Sequence, residues 1–359
     1  MAFESVTPRP QARASPAQPA VPVKPTVTSG ARASLVARVY AELAQGEFRS
    51  GAHLARRLGV TRSAVWKAAA ALRELGITVH AVRNRGYRLP DACGVLDAQR
   101  IRAELAPDVR PIVRRIETAW SLSSTNVLLL ERGPPPSGAA DVLLAEHQSA
   151  GRGRRGRAWL APPGGAICLS IGWTFAQLPR DLAALGLAVG VCALRALKPH
   201  VSAPLGLKWP NDLVLGARKL AGILIEMRAE AAGPTYVVIG IGVNVALGAP
   251  LRAQIAASGT QAIDLRSLGA TAERNSLVAA LIRAILLGLK DFERAGLRPF
   301  GEEWTAVDAL RGNPVQVQTG EQQLRGTARG IDASGALLVE TAQGLQRLVA
   351  GDVTVRPER

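Results

Sequence analysis

The chain has 359 residues, 48% of them hydrophobic, and a formal net charge of +16; this exceeds one average domain and supplies enough apolar side chains for two or three packed cores. No apolar run reaches the ~20 residues of a membrane span, since the longest, Leu182 to Leu197, is interrupted by Arg195 and reads as a buried helix. The three cysteines, Cys93, Cys168 and Cys192, are odd in number and far apart, and the N-terminus lacks an apolar signal core, which points to a reducing cytoplasm; neither they nor His53, His80, His147 and His200 stand at metal-ligand spacing, so no structural metal is expected.

Residues 1–31 hold six prolines among small and polar residues and read as a disordered tail. A helical period begins at Ser34 and runs to Gln45-Gly46, a second helix covers Ala52 to Leu58, and after the turn at Gly59-Val60 a third runs from its N-cap Thr61 to a stop at Gly76. That is helix-turn-helix spacing. Val65, Ala68, Ala69, Leu72 and Leu75 share the inward face of the third helix, and Arg62, Ser63, Trp66, Lys67 and Arg73 the other. Two strands, Ile77–Val82 and Tyr87–Leu89, flank the turn Arg83-Asn84-Arg85-Gly86 as a basic wing.

Half of the net charge sits here: from Arg49 to Arg88 there are nine Lys/Arg and one acid, Glu74, giving +8. A solvated face is the plain alternative, but this asymmetry on a winged helix-turn-helix points to DNA. Arg62, Ser63 and Trp66 would then reach base edges, Arg56, Arg57 and Lys67 would hold phosphates, and Arg83 and Arg85 of the wing tip would also bind the DNA. The DNA-binding unit is expected at residues 32–90, followed by a linker over Pro90–Val95.

Residues 95–310 are expected to form a second domain. It opens with a short helix from Leu96 to Leu105, then strand-like runs at Pro111–Glu117, Val142–Glu146, Ala166–Thr174, Leu205–Trp209, Lys219–Met227 and Tyr236–Val245, with helices at Asn126–Arg132, Asp181–Leu197, Asn275–Ala295 and Pro299–Ala309. Several strands follow one another directly, which predicts a mixed sheet with packed helices rather than a doubly wound parallel one. From residue 311 to 359 short segments at Pro314–Thr319, Gln322–Asp332, Ala336–Thr341 and Leu345–Val349, with turns at Thr319-Gly320 and Ser334-Gly335, predict a small all-β barrel.

Inside the second domain lies Gly151-Arg152-Gly153-Arg154-Arg155-Gly156-Arg157. Glycine lets a ligand approach the backbone, and arginine supplies planar forks of donors for carboxylate and phosphate oxygens, so the run reads as an anion-closing loop. It is too polar and glycine-rich to order on its own. Its Gly-x-Gly-x-x-Gly spacing also fits a dinucleotide fingerprint, but Trp159, Pro162 and Pro163 follow where that motif needs a helix, and no acid stands near Ser170. A basic solvated loop and an RNA-binding Arg/Gly run are the other readings.

Five motifs occur in one order: Ser124-Thr125-Asn126; Gln148-Ser149-Ala150 leading into Gly151–Arg157; Lys208-Trp209-Pro210-Asn211-Asp212; Lys219-Leu220-Ala221-Gly222-Ile223-Leu224; and Gly240-Ile241-Gly242-Val243-Asn244. The ordered set resembles the biotin protein ligases, and the winged helix-turn-helix ahead of it resembles their bifunctional members that also repress the biotin operon. The resemblance spans about Ser34 to Arg356. It implies a central domain like class II aminoacyl-tRNA synthetases and an SH3-like barrel behind it. It also implies a reaction in which biotin and ATP, the latter with Mg²⁺, give biotinyl-5′-AMP, and biotin then passes to a lysine of the biotin carboxyl carrier protein. A homodimer would form when biotinyl-5′-AMP is bound.

By matching motif, Ser124, Thr125, Asn126 and Gln148 line the biotin pocket, Arg152, Gly153 and Arg154 close over the ligand, and Lys219 meets the carboxylate. Lys219 and Arg154 are the catalytic pair. Arg154, Arg157, Trp159, Asn211 and Asn244 fall to the nucleotide. Where many relatives carry an acid just ahead of the Ser-Thr-Asn motif, this chain has Ser123. Short hydroxyl and amide groups suit a neutral ureido ring, and cations suit two anions brought together, so the residue types fit the implied chemistry. Asp212 reads as structural or as positioning the metal–nucleotide rather than as a base, because a carboxylate substrate is already ionised. A silent ligand-sensing regulator and a lipoate ligase are the competing functions. The partner surface of a dimer is expected on an exposed edge strand, Lys219–Met227 or Tyr236–Val245.

Overall fold

The computed structural model describes residues 34–90, 93–229, 234–319 and 322–355. The expected tail at residues 1–31, two residues of the expected linker and Gly320 of the expected turn lie outside them.

Three helices begin the described chain, α1 (Leu35–Leu43), α2 (Gly51–Leu58) and α3 (Arg62–Glu74), each started by a hydroxyl cap: Ser34, Ser50 and Thr61 accept from the backbone N–H of Ala37, His53 and Ala64. Such caps satisfy helix donors that have no intrahelical partner. Val39, Tyr40, Leu43, Leu54, Val65, Ala69 and Leu72 form their core. The wing, β1 (His80–Val82) and β2 (Gly86–Arg88), is antiparallel, and Arg49 bridges to Tyr87 as a third short strand. Only glycine fits at position 86, where φ is +101° and a Cβ would stand 2.1 Å from the Arg49 carbonyl oxygen.

The central domain contains α4 (Ala98–Glu104), β3 (Val113–Leu122), α5 (Thr125–Arg132), β4 (Ala140–Gln148), β5 (Ala166–Phe175), α6 (Leu185–Leu197), β6 (Gly206–Lys208), β7 (Asp212–Leu215), β8 (Arg218–Ala229), β9 (Thr235–Asn244), α7 (Ala249–Ala257), α8 (Arg274–Ala295) and α9 (Gly301–Ala306). Its seven strands pair in the order β3-β4-β5-β9-β8-β7-β6, parallel between β3 and β4 and antiparallel elsewhere. This is the mixed sheet expected. The apolar helix α6 is buried on almost every side, as its lack of a polar face requires, and packs with α8 on one face of the sheet. On the other, Leu128 and Leu129 of α5 meet Leu143, Tyr236 and Val238.

Three elements were not foreseen, the strand β7, the helix α7 and, in the C-terminal unit, a last strand at Asp352–Val355. One expectation is corrected: Tyr236–Val245 is not an edge, since β9 is hydrogen-bonded along its length to β5 on one side and β8 on the other. Lys219–Met227 is an edge only in part. β7 covers β8 from Arg218 to Gly222, and from Leu224 to Ala229 no strand pairs with its outer side among the described residues.

The C-terminal unit is a five-stranded antiparallel sheet of β10 (Pro314–Thr319), β11 (Gln322–Ile331), β12 (Leu337–Thr341), β13 (Gly344–Leu348) and β14 (Asp352–Val355), in the order β13-β12-β11-β10-β14. It is docked on the central domain by Trp209, whose indole N–H donates to the Gly335 carbonyl at 3.0 Å.

A buried ion pair of the central domain holds the segment by which the chain enters it from the DNA-binding unit. Glu146, near the end of β4, pairs with Arg274, the first residue of α8, at 2.8 Å, with side chains 4% and 1% exposed. Glu146 also accepts from the backbone N–H of Leu96 and Gly164, and Arg274 donates to the carbonyls of Cys93, Gly94 and Ala166. Tyr40 of α1 donates to the same Gly94 carbonyl and packs against Trp120 of β3, with ring centroids 5.2 Å apart and planes tilted by 50°. Burying charge is costly unless each partner is fully engaged, and here both are. Replacing Arg274 with Met strands the Glu146 carboxylate, and the expected loss of about 3–5 kcal/mol is measured by denaturant unfolding; a loss below ~1 kcal/mol contradicts this role.

Candidate active site

The ends of β4, β8 and β9, the start of α5 and the loop after β4 enclose a cavity of about 340 Å³. Every residue expected at the biotin and nucleotide sites lines it: Ser124, Thr125, Asn126, Gln148, Arg152, Gly153, Arg154, Arg157, Trp159, Asn211, Lys219 and Asn244. Bare backbone makes the room. A Cβ at Gly240 would lie 2.4 Å from Asn126 Oδ1, and one at Gly242 would lie 2.3 Å from the Trp159 ring. The Gly-Ile-Gly pair on one face of β9 is therefore the seat of those two side chains.

At one end, Ser124, Thr125 and Asn126 are buried where α5 begins. Gln148 Oε1 accepts from the N–H of Thr125 at 2.8 Å and from its hydroxyl at 3.1 Å. Ser170 Oγ, on β5, lies 2.7 Å from Thr125 Oγ1 and 2.5 Å from Asn126 Oδ1. Asn126 Nδ2 donates to Glu226 at 2.9 Å and to the Leu224 carbonyl at 3.2 Å.

At the other end Lys219 Nζ stands 2.7 Å from Asp212 Oδ1 and 5.7 Å from the Trp159 ring centroid. Asp212 thus aims the lysine. Asn244 Nδ2 donates to the carbonyls of Lys219 and Ile263, and Asn211 Nδ2 to that of Ile223, so both asparagines fix the backbone that carries the lysine. Lys208 is half-buried nearby; burial pushes its pKa below the ordinary lysine value, against an opposing pull from Asp212.

The Gly/Arg loop was expected to have no structure of its own, and here it is a short 3₁₀ turn, Arg154–Gly156, closed by a bridge between Arg152 and Ala158. Carboxylates invisible to the local sequence hold it. Arg152 donates to both oxygens of Glu226, at 2.9 and 3.1 Å. Arg155 and Arg157 both reach Asp352 on β14 of the C-terminal sheet, at 3.2 and 2.8 Å. Arg154 alone of the four has no ion-pair or hydrogen-bond partner for its guanidinium among the described residues. It lines the cavity, and burial lowers its pKa from the ordinary value while Asp352 and Asp212 raise it, so it stays charged.

On the DNA-binding unit Arg56, Arg57, Arg62, Ser63, Trp66, Lys67, Arg83 and Arg85 are all exposed. Trp66 is 59% exposed, far more than its apolar surface favours. Arg57 is paired with Glu42 at 2.6 Å, and the Arg85 guanidinium lies 4.2 Å from the centroid of the Phe48 ring. Arg73 is exposed on the outward face as expected, and its guanidinium donates to the Val79 carbonyl just ahead of the wing.

Residues 121–244 match the Biotin/lipoate A/B protein ligase family, residues 37–88 an HTH domain and residues 312–356 the Biotin protein ligase C terminal domain. The chain is 38% identical over 315 residues to the Bifunctional ligase/repressor BirA of Salmonella typhimurium, covering 88% of this chain and 95% of that one. It is 36% identical over 323 residues to the Bifunctional ligase/repressor BirA of Escherichia coli, covering 89% and 96%. Among solved structures, Biotin protein ligase from Aquifex aeolicus in complex with biotin and ATP is similar in fold, with a TM-score of 0.55 at 23% identity over 68% of this chain and all of that one.

The seating of Trp159 on Gly242 is open to a double-mutant cycle. Gly242→Ala overpacks the site and is expected to cost about 1–3 kcal/mol of stability with Trp159 present, and much less in a Trp159→Ala background. Equal costs in the two backgrounds, measured by denaturant unfolding, contradict the contact.

Proposed function

The chain belongs to the biotin protein ligase family, and from that premise we propose that it joins biotin to ATP as biotinyl-5′-AMP and passes biotin to a lysine of the biotin carboxyl carrier protein. The observation that carries this reading is the pair of cations facing the cavity, Arg154 without a carboxylate partner and Lys219 aimed by Asp212. The biotin carboxylate attacks the α-phosphorus of ATP, and pyrophosphate leaves. Both reactants are anions, and charge grows on the phosphoryl oxygens as the bond forms. Arg154 and Lys219 stand where that charge develops, and Trp159 walls the side assigned to the adenine. Mg²⁺ enters with ATP as its counter-ion and is part of the substrate. In the second step the acceptor lysine attacks the mixed anhydride carbonyl and AMP leaves.

The neutral cluster of Ser124, Thr125, Asn126 and Gln148 supports biotin over lipoate, since a ureido ring offers donors and an acceptor that a dithiolane lacks. The second activity follows from the winged helix-turn-helix. Arg62, Ser63 and Trp66 would read base edges and the remaining exposed cations would hold phosphates, so that the protein represses biotin synthesis genes in the cytoplasm. One winged helix covers one half-site, so the repressing form is a dimer. The outer side of β8 from Leu224 to Ala229, which carries Met227 at 57% exposure, is the edge we assign to it.

Lys219→Ala removes one charge-assisted contact to the reacting anions, worth roughly 1.5–3 kcal/mol, and should slow the first step by about ten- to a hundredfold or more. The measurement is pyrophosphate release with ATP and biotin, repeated with lipoate in place of biotin. A wild-type rate in the variant contradicts the role of Lys219, and a faster reaction of the unaltered protein with lipoate contradicts the substrate.

A further inference from the structure

The hydrogen bonds at the floor of the cavity do not stop there. They run in sequence from Gln148 to Thr125, Ser170, Asn126 and Glu226, and Glu226 holds Arg152 of the loop that closes the cavity. Glu226 and Ser170 belong to none of the five sequence motifs' assigned site residues, yet they are the links between floor and loop. Asn126 has its orientation fixed, because Nδ2 faces two groups that can only accept, the Glu226 carboxylate and the Leu224 carbonyl. Its Oδ1 therefore takes the Ser170 proton.

The Thr125 proton then has two claimants, Ser170 Oγ at 2.7 Å and Gln148 Oε1 at 3.1 Å. Only when it goes to Ser170 do all donors point one way along the chain and end on the Glu226 carboxylate. A hydrogen-bonded chain aligned toward a charge is stronger than its links taken singly. A ligand N–H that takes over Gln148 Oε1 releases the Thr125 proton for Ser170 and completes that alignment.

We infer that Glu226 is a positioning residue that couples filling of the cavity floor to closure of the Gly151–Arg157 loop, through Thr125, Ser170, Asn126 and Arg152. The ligand assignment rests on the proposed function; the tie between Glu226 and the loop does not. The Arg152 and Glu226 side chains are 43% and 24% exposed, so an isolated pair of this kind would contribute little, and its weight comes from the buried chain behind it.

Two readouts on the full chain separate the parts. The first is amide hydrogen exchange across residues 151–157 without added ligand, in wild type, Glu226→Ala, Glu226→Gln and Arg152→Ala. Glu226→Ala should speed loop exchange about tenfold, as expected for loss of a contact to a charged group, with β5 and β9 amides unchanged as the control for folding. Arg152→Ala should match it, and the double variant should be no worse than either single one. Glu226→Gln, which keeps an acceptor for Asn126 but not the charge, should fall between.

The second readout is retention of biotinyl-5′-AMP, followed as labelling of an unrelated lysine-rich protein. Retention should fall in Glu226→Ala and in Ser170→Ala by a larger factor than the rate of pyrophosphate release does. Unchanged loop exchange in Glu226→Ala, or additive effects of the two single changes, overturns the inference whatever the substrate. Unchanged retention with faster loop exchange overturns the coupling to the ligand. A wild-type protein that releases no pyrophosphate with biotin and ATP, yet shows the expected exchange pattern, counts against the substrate and leaves the loop tie supported.

Discussion

The Glu146 and Arg274 pair is the interaction on which the arrangement of the molecule depends. Glu146 stands two residues before Gln148 on β4, so the same strand end serves both the cavity and the domain junction. Its carboxylate accepts from Leu96, at the entry from the DNA-binding unit, and from Gly164, in the segment that follows the Arg-rich loop and Trp159. Pro162 and Gly165 of that segment also border Gly76, Ile77 and Thr78, at the foot of the wing. The ligand-facing strand, the segment after the loop and the entry from the DNA-binding unit are thereby fastened to one buried charge.

Cations are divided within the loop according to what neutralises them. Arg152 is assigned to Glu226 of the central sheet, and Arg155 and Arg157 to Asp352 of the C-terminal sheet. These pairs are partly exposed and individually weak, but together they fix the turn from both sides and leave Arg154 facing the cavity. The C-terminal unit is thus more than an appendage, because it supplies the carboxylate that sets one flank of the loop.

Much of this was legible locally. The helical period from Ser34, the cap Thr61, the spacing of α2 and α3, and the apolar runs of β4, β5, β8 and β9 are decided by neighbours in the chain, so the helices and strands read off directly. β7 was hidden because Asp212–Leu215 is four residues long and lies against the Lys-Trp-Pro-Asn motif. α7 was hidden because Gly248 and Pro250 flank its start, although proline in the first turn is compatible with a helix. Sheet order was not legible, which is why Tyr236–Val245 passed for an edge. The site residues were found by type and motif. Their partners were not: Glu226 is 74 positions from Arg152, and Asp352 is 195 from Arg157, and no local pattern marks a carboxylate for an arginine so far away.

The central claim is that one intermediate serves both activities, so that the state of the ligase site sets the state of the DNA-binding form. The most direct test is operator affinity and sedimentation of the full chain at fixed salt with no ligand, with biotin alone, and with biotin plus ATP. The account predicts a dimer and an operator affinity at least about fivefold tighter only in the third case, the lower end of ordinary allosteric coupling. The same oligomer and the same affinity in all three would contradict it, leaving a ligase joined to an independent DNA-binding domain.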